Sequence, residues 1–543
     1  MSAPPLFRAL GRRTLALVFV WVFGLVLLVP LFGVTNPVAG WAVPTGWASD
    51  ACAGWDPHAA PELDPPQCLR ARQFRQLQAF RAAEGTEWQL GNGDMRARSA
   101  LDRLERCVLG LIACPERPLV LGDMWYIFVK GHSESGEAVW LGDVVCAGSR
   151  LAGTRADTPQ QDAVEENGYV FLALMPDLRR AYKNWAPTRL LSELIYQYWT
   201  DADQSFNCLS DPRCVRAEDY TPATNASYRH DLGAVPPSQL GQLPSWRVIG
   251  VSFWGSRPFS FDGAGQNAQY LWGKAEGEEW AWHTLGAKWQ IVPYDYPGHS
   301  YLPLSIEQRC LQAPVVPYTE RKDAVLILAK ESPYFYHKDY LTSAWPRIVA
   351  DLNDAGVEVW STAKIVNDKP IPAGIKQLGQ LSAAEYARTV GSVKAMLGVG
   401  LPEISPSPFV AMCKATPVVM PYWDTPSESA WAPFASRYAQ HGIVRALGEP
   451  YAYSYDIRNT TELVARVIDA VGTEIQPFVP QDMTMAAVRE RTRAFLRTDW
   501  EGLYDDIVAN NGGRPPAHDD TMMERCFASG KCRPELLAQG AVE

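Results

Sequence analysis

The chain has 543 residues, 47% of them apolar, and carries a formal net charge of −10; that length and apolar content suffice for more than one hydrophobic core. So acidic a chain excludes a general nucleic-acid binder, which needs a basic face to meet phosphates. Its 20 tryptophans offer flat faces suited to stacking on sugar rings, although most tryptophans in any protein are core.

Thr14 to Val34 reads "TLALVFVWVFGLVLLVPLFGV", an apolar run of the length needed to cross a hydrocarbon core as a helix. Arg8, Arg12 and Arg13 precede it and no acidic residue appears before Asp50, which makes residues 1–13 a cytosolic tail and 14–34 a signal-anchor. The alternative is a cleaved signal peptide, whose apolar region is shorter and ends at small residues, as "NPVAGWA" would allow. Either way the rest of the chain lies on the exoplasmic side. Residues 35–70, rich in Pro, Ala and Gly, read as a stalk.

"LRARQFRQLQAFRAAEG" and "SALDRLERCVLGLIAC" have helical spacing, the first with a basic face. "MWYIFVKG" is the first strand candidate. Between 150 and 310 the periodicity is too weak to order strands, and "RLLSELIYQYW" reads there as a helix. From about Asp323 the pattern becomes regular. "AVLILAK", "VEVWST", "VKAMLGVG" and "PVVMP" are strands. "YLTSAWPRIVADLNDAG", "SAAEYARTVG", "PSPFVAMCKA" and "TTELVARVIDAVG" are helices. Apolar strands alternating with amphipathic helices imply an α/β fold, a parallel sheet covered on both faces.

All 11 cysteines follow the apolar segment. Cys52 with Cys68, Cys107 with Cys114, Cys208 with Cys214 and Cys526 with Cys532 are spaced for local disulfides in an oxidising compartment. An odd count leaves a thiol over, and Cys413, inside an apolar helical pattern, is the expected free one. Asn225-Ala226-Ser227 and Asn459-Thr460-Thr461 are glycosylation sequons.

Parallel sheets bind ligands outside the carboxyl ends of their strands. Two loops occupy such positions: Ala329-Lys330-Glu331-Ser332, and Leu401-Pro402-Glu403-Ile404-Ser405-Pro406-Ser407-Pro408. Serines before the second helix and a proline near its start would leave backbone N–H groups free at the helix end to hold an anion such as a diphosphate; the plainer reading is an ordinary capped helix. Asp201-Ala202-Asp203 has two carboxylates that can grip a cation beside phosphates, or can form a solvated turn.

"VKGHSESGEAVW", Val129 to Trp140, offers either a hydrolase nucleophile elbow at Ser133 or a carboxylate base at Glu137. An elbow needs glycine two residues on either side of the serine, and Ser135 stands where the second should be.

The blocks "SGEAVWLGD", "SELIYQYW", "VSFWGSRP", "LGAKWQIVPYDYPGHSYLPLSIEQ", "AKESPYF", "LGVGLPEISPSPFVAMCKATPVVMP" and "IQPFVPQDMT" occur in an order and spacing that resembles family 18 glycosyltransferases, the group of N-acetylglucosaminyltransferase V. The resemblance implies a GT-B architecture of two facing Rossmann-like lobes, acceptor-side residues 71–315 and nucleotide-sugar-binding residues 316–500, with 501–543 a C-terminal tail. It implies a metal-independent inverting transfer of N-acetylglucosamine from UDP-GlcNAc to the 6-hydroxyl of an α-linked mannose on glycoprotein N-glycans, in the Golgi lumen, by a single-pass type II membrane protein. By position Glu137 matches the family's catalytic base. Lys330, Glu403, Ser405, Pro406 and Ser407 are assigned to the donor, and Trp254, Trp289 and Tyr301 to the cleft wall or the core. The sequence departs from the family at two contacts. Val410 stands where a second glutamate is expected, and no lysine occurs between Lys414 and Lys531, leaving Arg437 or Arg445 as substitutes. Those departures keep two alternatives open: a related transferase with another donor or acceptor, and a glycan-binding pseudoenzyme.

Overall fold

In a computed structural model the chain divides into residues 1–72 and 73–543. The structure describes residues 66–84, 95–112, 119–122, 136–149, 170–173, 185–221, 232–253 and 283–516, the last stretch without 296–297, 312, 337–338, 403 and 423–438. The expected membrane segment and nearly all of the stalk lie outside them. Among the described residues no helix is long and apolar enough to cross a membrane.

Two parallel sheets organise residues 73–543. The first holds β1 (Leu119–Gly122), β2 (Val170–Ala173), β3 (Ile195–Asp201), β4 (Val248–Val251), β5 (Gln290–Val292) and β6 (Ser300–Tyr301) in the order β2-β1-β3-β4-β5-β6. The second holds β7 (Lys322–Leu328), β8 (Glu358–Ser361), β9 (Lys376–Gln377), β10 (Val393–Gly398), β11 (Val418–Tyr422) and β12 (Ala452–Asp456) in the order β12-β11-β10-β7-β8-β9. All neighbouring strands in both are parallel. The α/β expectation therefore holds in each half of the chain.

The helices are α1 (Pro66–Ala82), α2 (Met95–Val108), α3 (Gly136–Ser149), α4 (Ala202–Leu209), α5 (Asp339–Asp354), α6 (Ala383–Ser392), α7 (Ser407–Cys413), α8 (Gly442–Leu447), α9 (Thr460–Val471), α10 (Met485–Arg497) and α11 (Trp500–Asn510), with shorter turns between. Along β7, Ala324, Leu326 and Leu328 enter one apolar cluster while Val325, Ile327 and Ala329 enter another. Alternate residues face opposite sides of a strand, so a sheet buried on both faces reads as an unbroken apolar run. Leu341, Trp345, Ile348 and Leu352 on α5 and Leu463, Val467 and Ala470 on α9 cover one face, at the three-and-four spacing of a helical stripe.

The other face shares a continuous cluster with the first sheet, running from Trp140 and Trp199 to Met396 and Phe409. Helices α10 and α11, on both sides of the expected boundary at residue 500, return to the first sheet. Phe495 meets Trp199 edge-on at 5.7 Å, Trp500 meets Trp289 at 5.2 Å, and the Tyr196 hydroxyl donates to the Leu496 carbonyl.

Three sequence expectations change. Residues 195–201 of "RLLSELIYQYW" and its continuation are strand β3, because Ile195, Tyr198 and Trp199 are buried in the first sheet; Asp201-Ala202-Asp203 thus follows a strand. The first described strand is Leu119–Gly122, ahead of "MWYIFVKG", which lies outside the described residues. Cys413 is not free: it is bonded to Cys310, 103 residues away. The Cys208–Cys214 disulfide forms as expected.

Candidate functional site

The second sheet runs outward from β7 through β8 to β9, then returns to β10 on the other side of β7. That reversal is a topological switch point, and the crevice outside the carboxyl ends of the two flanking strands is where such sheets take ligands. The two loops singled out in the sequence leave these strands, whose last residues, Leu328 and Gly398, are paired in register.

After β7, Lys330 is exposed and its carbonyl accepts the Lys364 amide at 3.0 Å. After β10, Gln440 fastens the chain from inside: its side chain is fully buried, accepts from Gly400 N at 2.9 Å and donates to the Pro402 carbonyl at 2.8 Å. A Cβ at Gly398 would lie 2.3 Å from the Gln440 carbonyl oxygen, so glycine there admits the clamp. His441, next in the chain, is buried with positive φ. Burial pushes its imidazole down to about 3.

The start of α7 differs from the anion site expected. Ser407 N donates to Ser405 Oγ at 3.1 Å, Pro408 has no N–H, and Phe409 N and Val410 N both donate to the Pro406 carbonyl. The first-turn donors are therefore engaged. What remains is the pair of hydroxyls, Ser405 Oγ and Ser407 Oγ, 3.0 Å apart. The Tyr386 hydroxyl bonds to the Ser407 side chain, and burial raises its phenol. The amides of Ile404 and Ser405 have no protein partner among the described residues. Val410 is buried, and so is Lys414, whose ammonium donates to the Cys310 and Ala313 carbonyls while desolvation lowers its pKa. Neither can reach a ligand in the crevice. Arg445 does lie at this edge, its guanidinium 4.4 Å from the ring centroid of Tyr422 at the end of β11.

Helix α3 brings the first half of the chain to the same place. Glu137 is half-buried in its first turn, where a carboxylate is favoured by the helix dipole. A Cβ added to Gly136 would stand 3.0 Å from Pro406 Cδ and 2.7 Å from Phe253 Cζ, so the start of α3 touches the residue preceding α7. Behind that contact runs an aromatic chain. Trp140 meets Phe253 at 6.0 Å, Phe253 meets Tyr294 at 6.0 Å, and Tyr294 stacks on Phe409 of α7 at 6.2 Å. Two further bonds fix α3: Trp140 Nε1 donates to the Leu302 carbonyl at 2.6 Å, and Ser305 N donates to Asp143 at 2.9 Å. Burial pushes the Asp143 carboxyl up to about 6, opposed by the Ser305 amide and the Arg309 charge.

Glu137, Lys330, Ser405, Pro406 and Ser407 thus lie on the elements that meet at this crevice. Glu403, Asn225, Trp254, Arg437 and Ser133 fall outside the described residues. Asn459 is exposed and caps α9 by accepting from Glu462 N. Trp289 and Tyr301 are core: the first is 2% exposed, and the second donates to Asp482 at 2.5 Å with Arg491 over its ring. Among the described residues no group of acidic, histidine or cysteine side chains is placed to hold a metal. Gln440, Asp143 and Tyr386 were not anticipated. Only Asp143, which ends the "SGEAVWLGD" block, had a signal that could have marked it.

Residues 283–523 match the model of glycosyltransferase family 18. Over 247 residues the chain is 22% identical to the human alpha-1,6-mannosylglycoprotein 6-beta-N-acetylglucosaminyltransferase A, covering 42% of this chain and 31% of that one. Over 170 residues it is 24% identical to the B enzyme of Mus musculus, covering 30% and 21%. The chain therefore spans no more than about a third of the length of these relatives. Among solved structures, a trehalose-6-phosphate synthase aligns with 77% of this chain and 99% of its own at 10% identity and a TM-score of 0.34. Sucrose-phosphate synthase from Thermosynechococcus elongatus aligns with 76% and 100% at 11% identity and a TM-score of 0.33. Both scores are too low to establish a shared fold.

Proposed function

We propose that the chain, whose residues 283–523 match the model of glycosyltransferase family 18, is an inverting transferase moving N-acetylglucosamine from UDP-GlcNAc to the 6-hydroxyl of an α-linked mannose on an N-glycan. The observation that carries this reading is the approach of the first turn of α3, with Glu137, to Pro406 beside the switch point of the second sheet. A proton acceptor from one half of the chain stands next to a nucleotide-type crevice of the other.

In the proposed reaction the acceptor hydroxyl gives its proton to the Glu137 carboxylate while its oxygen bonds to the anomeric carbon. The bond from that carbon to the diphosphate oxygen breaks on the opposite face, and UDP departs with the electron pair. Because the first-turn amides of α7 are engaged, the leaving charge falls to the Ser405 and Ser407 hydroxyls, the free amides of Ile404 and Ser405, Lys330 and Arg445. Preorganised donors aimed at developing charge supply much of the stabilisation in such sites. The reading uses no resident metal, and it makes residues 14–34 the anchor of a Golgi enzyme whose catalytic part is luminal, as the family resemblance implies.

The buried Val410 where a glutamate is expected, and the absence of any lysine between Lys414 and Lys531, favour a second reading, a transferase of the same family with another sugar donor. UDP release is to be measured with a panel of UDP-sugars and a mannose-terminated N-glycan acceptor. Acceptor-dependent release strongest with UDP-GlcNAc supports the first reading, and strongest release with another sugar supports the second. UDP binding without release from any of them contradicts both and indicates a glycan-binding pseudoenzyme.

A further inference from the structure

Glu137, Trp140 and Asp143 follow one another at three-residue steps along α3, so they share one stripe of the helix. The two lower members are both bonded to the chain leaving β6, Trp140 to the Leu302 carbonyl and Asp143 to the Ser305 amide. Ser305 is 2% exposed, so its amide has no water to replace that carboxylate.

The same stretch, continued by a few residues, holds the other side of the crevice. Cys310 is bonded to Cys413, the last residue of α7. Lys414, the next residue, donates to the Cys310 and Ala313 carbonyls. Arg321 then grips the Lys414 carbonyl at 2.9 Å and its own Val316 carbonyl at 2.7 Å. The stretch is itself held against the C-terminal part of the chain: Ile306 N donates to the Met483 carbonyl at 3.1 Å and Met485 N to Glu307 at 2.7 Å.

We propose that Leu302–Leu311 is a positioning strap that sets Glu137 against the Ser405–Ser407 loop, with Asp143 as its attachment to α3 and the Cys310–Cys413 disulfide as its attachment to α7. Asp143 is thereby a positioning residue for the base, and the disulfide one for the donor loop. The proposal rests on the transferase reading above and adds to it which groups fix the spacing between the two halves of the reaction. Misplacing a reacting group by about 1 Å costs on the order of a hundredfold in rate, so a strap fastened to both helices acts directly on turnover.

The test compares the full chain with D143A, D143N, C310S/C413S and E137Q, measuring kcat and donor KM together with hydrogen exchange at the amides of α3 and α7. D143A is expected to lower kcat about 10- to 100-fold with donor KM within about twofold. D143N, whose amide oxygen still accepts from Ser305 N, should recover most of that loss. C310S/C413S should raise donor KM about fivefold or more and loosen α7 but not α3. A purely structural role would act only through the folded fraction, so kcat per folded molecule in D143A would equal that of the wild type, which overturns the proposal. So does full turnover by D143A. E137Q separates the two levels: if it is inactive while D143A is normal, the strap alone fails, whereas normal turnover by E137Q removes the base and the proposal with it. Should the wild type show no turnover, faster exchange confined to the first turns of α3 in D143A supports the docking, and unchanged exchange overturns it.

Discussion

At the level of single residues, two groups near the site with shifted pKa values, His441 and Asp143, work in opposite directions with pH. His441 is held near 3 by burial, below its ordinary value of about 6.5. Its neutral form is therefore the folded form, and the stability it contributes is present above about pH 6.5 and lost as pH falls toward 3. Asp143 is held near 6, so its contribution is full below about pH 4 and disappears as pH rises through 6. His441→Asn keeps a residue that tolerates positive φ and removes the titrating group. Unfolding free energies from urea titrations should then fall less between pH 7.5 and 5 than in the wild type, by a slope of at most about 1.4 kcal/mol per pH unit. Parallel pH curves for the two proteins would show that the imidazole does not titrate on unfolding. Neither shift was legible in the sequence, because each arises from burial by segments remote in the chain. Glu137 is singled out only through family resemblance, because an acidic residue after glycine at a helix start has no chemical signature of its own.

At the level of elements, strands of the second sheet were read correctly where both faces are buried, as in β7 and β10, since that burial demands a continuous apolar run. β12 was missed because "AYSYD" sets Ser454 and Asp456, both only half-buried, among the buried Ala452, Tyr453 and Tyr455. β3 was mistaken for a helix because Leu190, Leu191, Leu194 and Ile195 mimic a helical stripe, whereas Leu191 and Leu194 are buried in a turn before the strand. The serine-proline pattern correctly predicted where α7 starts, but not that Ser405 would consume the amide expected to bind an anion. The decisive contact between elements is that of α3 with Pro406, and it depends on Gly136 lacking a side chain. Gly136→Ala places a methyl 2.7 Å from the Phe253 ring and 3.0 Å from Pro406, and both neighbours are buried. Overpacking of this kind costs about 1–3 kcal/mol, and here it also displaces Glu137. Chemical denaturation and steady-state assays of this variant should show both losses; a stable, fully active protein would mean that the helix can withdraw from Pro406 without consequence.

For the whole molecule, the sequence showed a regular α/β second half and left the first half unordered, because the first sheet is built from strands of only two to seven residues separated by long connections. Nor could it show that the chain closes on itself. Helices α10 and α11 carry Phe495 and Trp500 back to the first sheet, where Trp500 is 1% exposed between Trp289 and Phe495. Cys310–Cys413 was equally hidden, since pairing across 103 residues leaves no local spacing to read. Trp500→Ala should lower stability by about 3–5 kcal/mol, seen as a lower melting temperature. Because α10 also supplies Met485 to the strap, kcat should fall more than donor affinity. A small stability change would show that the C-terminal helices only rest on the first sheet.

All of these effects converge on one carboxylate, and replacing it alone is the most direct test. Steady-state transfer by Glu137→Gln should fall on the order of 100- to 10,000-fold, the usual worth of a general base, while UDP-sugar affinity measured by calorimetry stays within about twofold. If the glutamine variant transfers sugar at a rate near that of the wild type, the proton leaves the acceptor by another route and Glu137 is not the base.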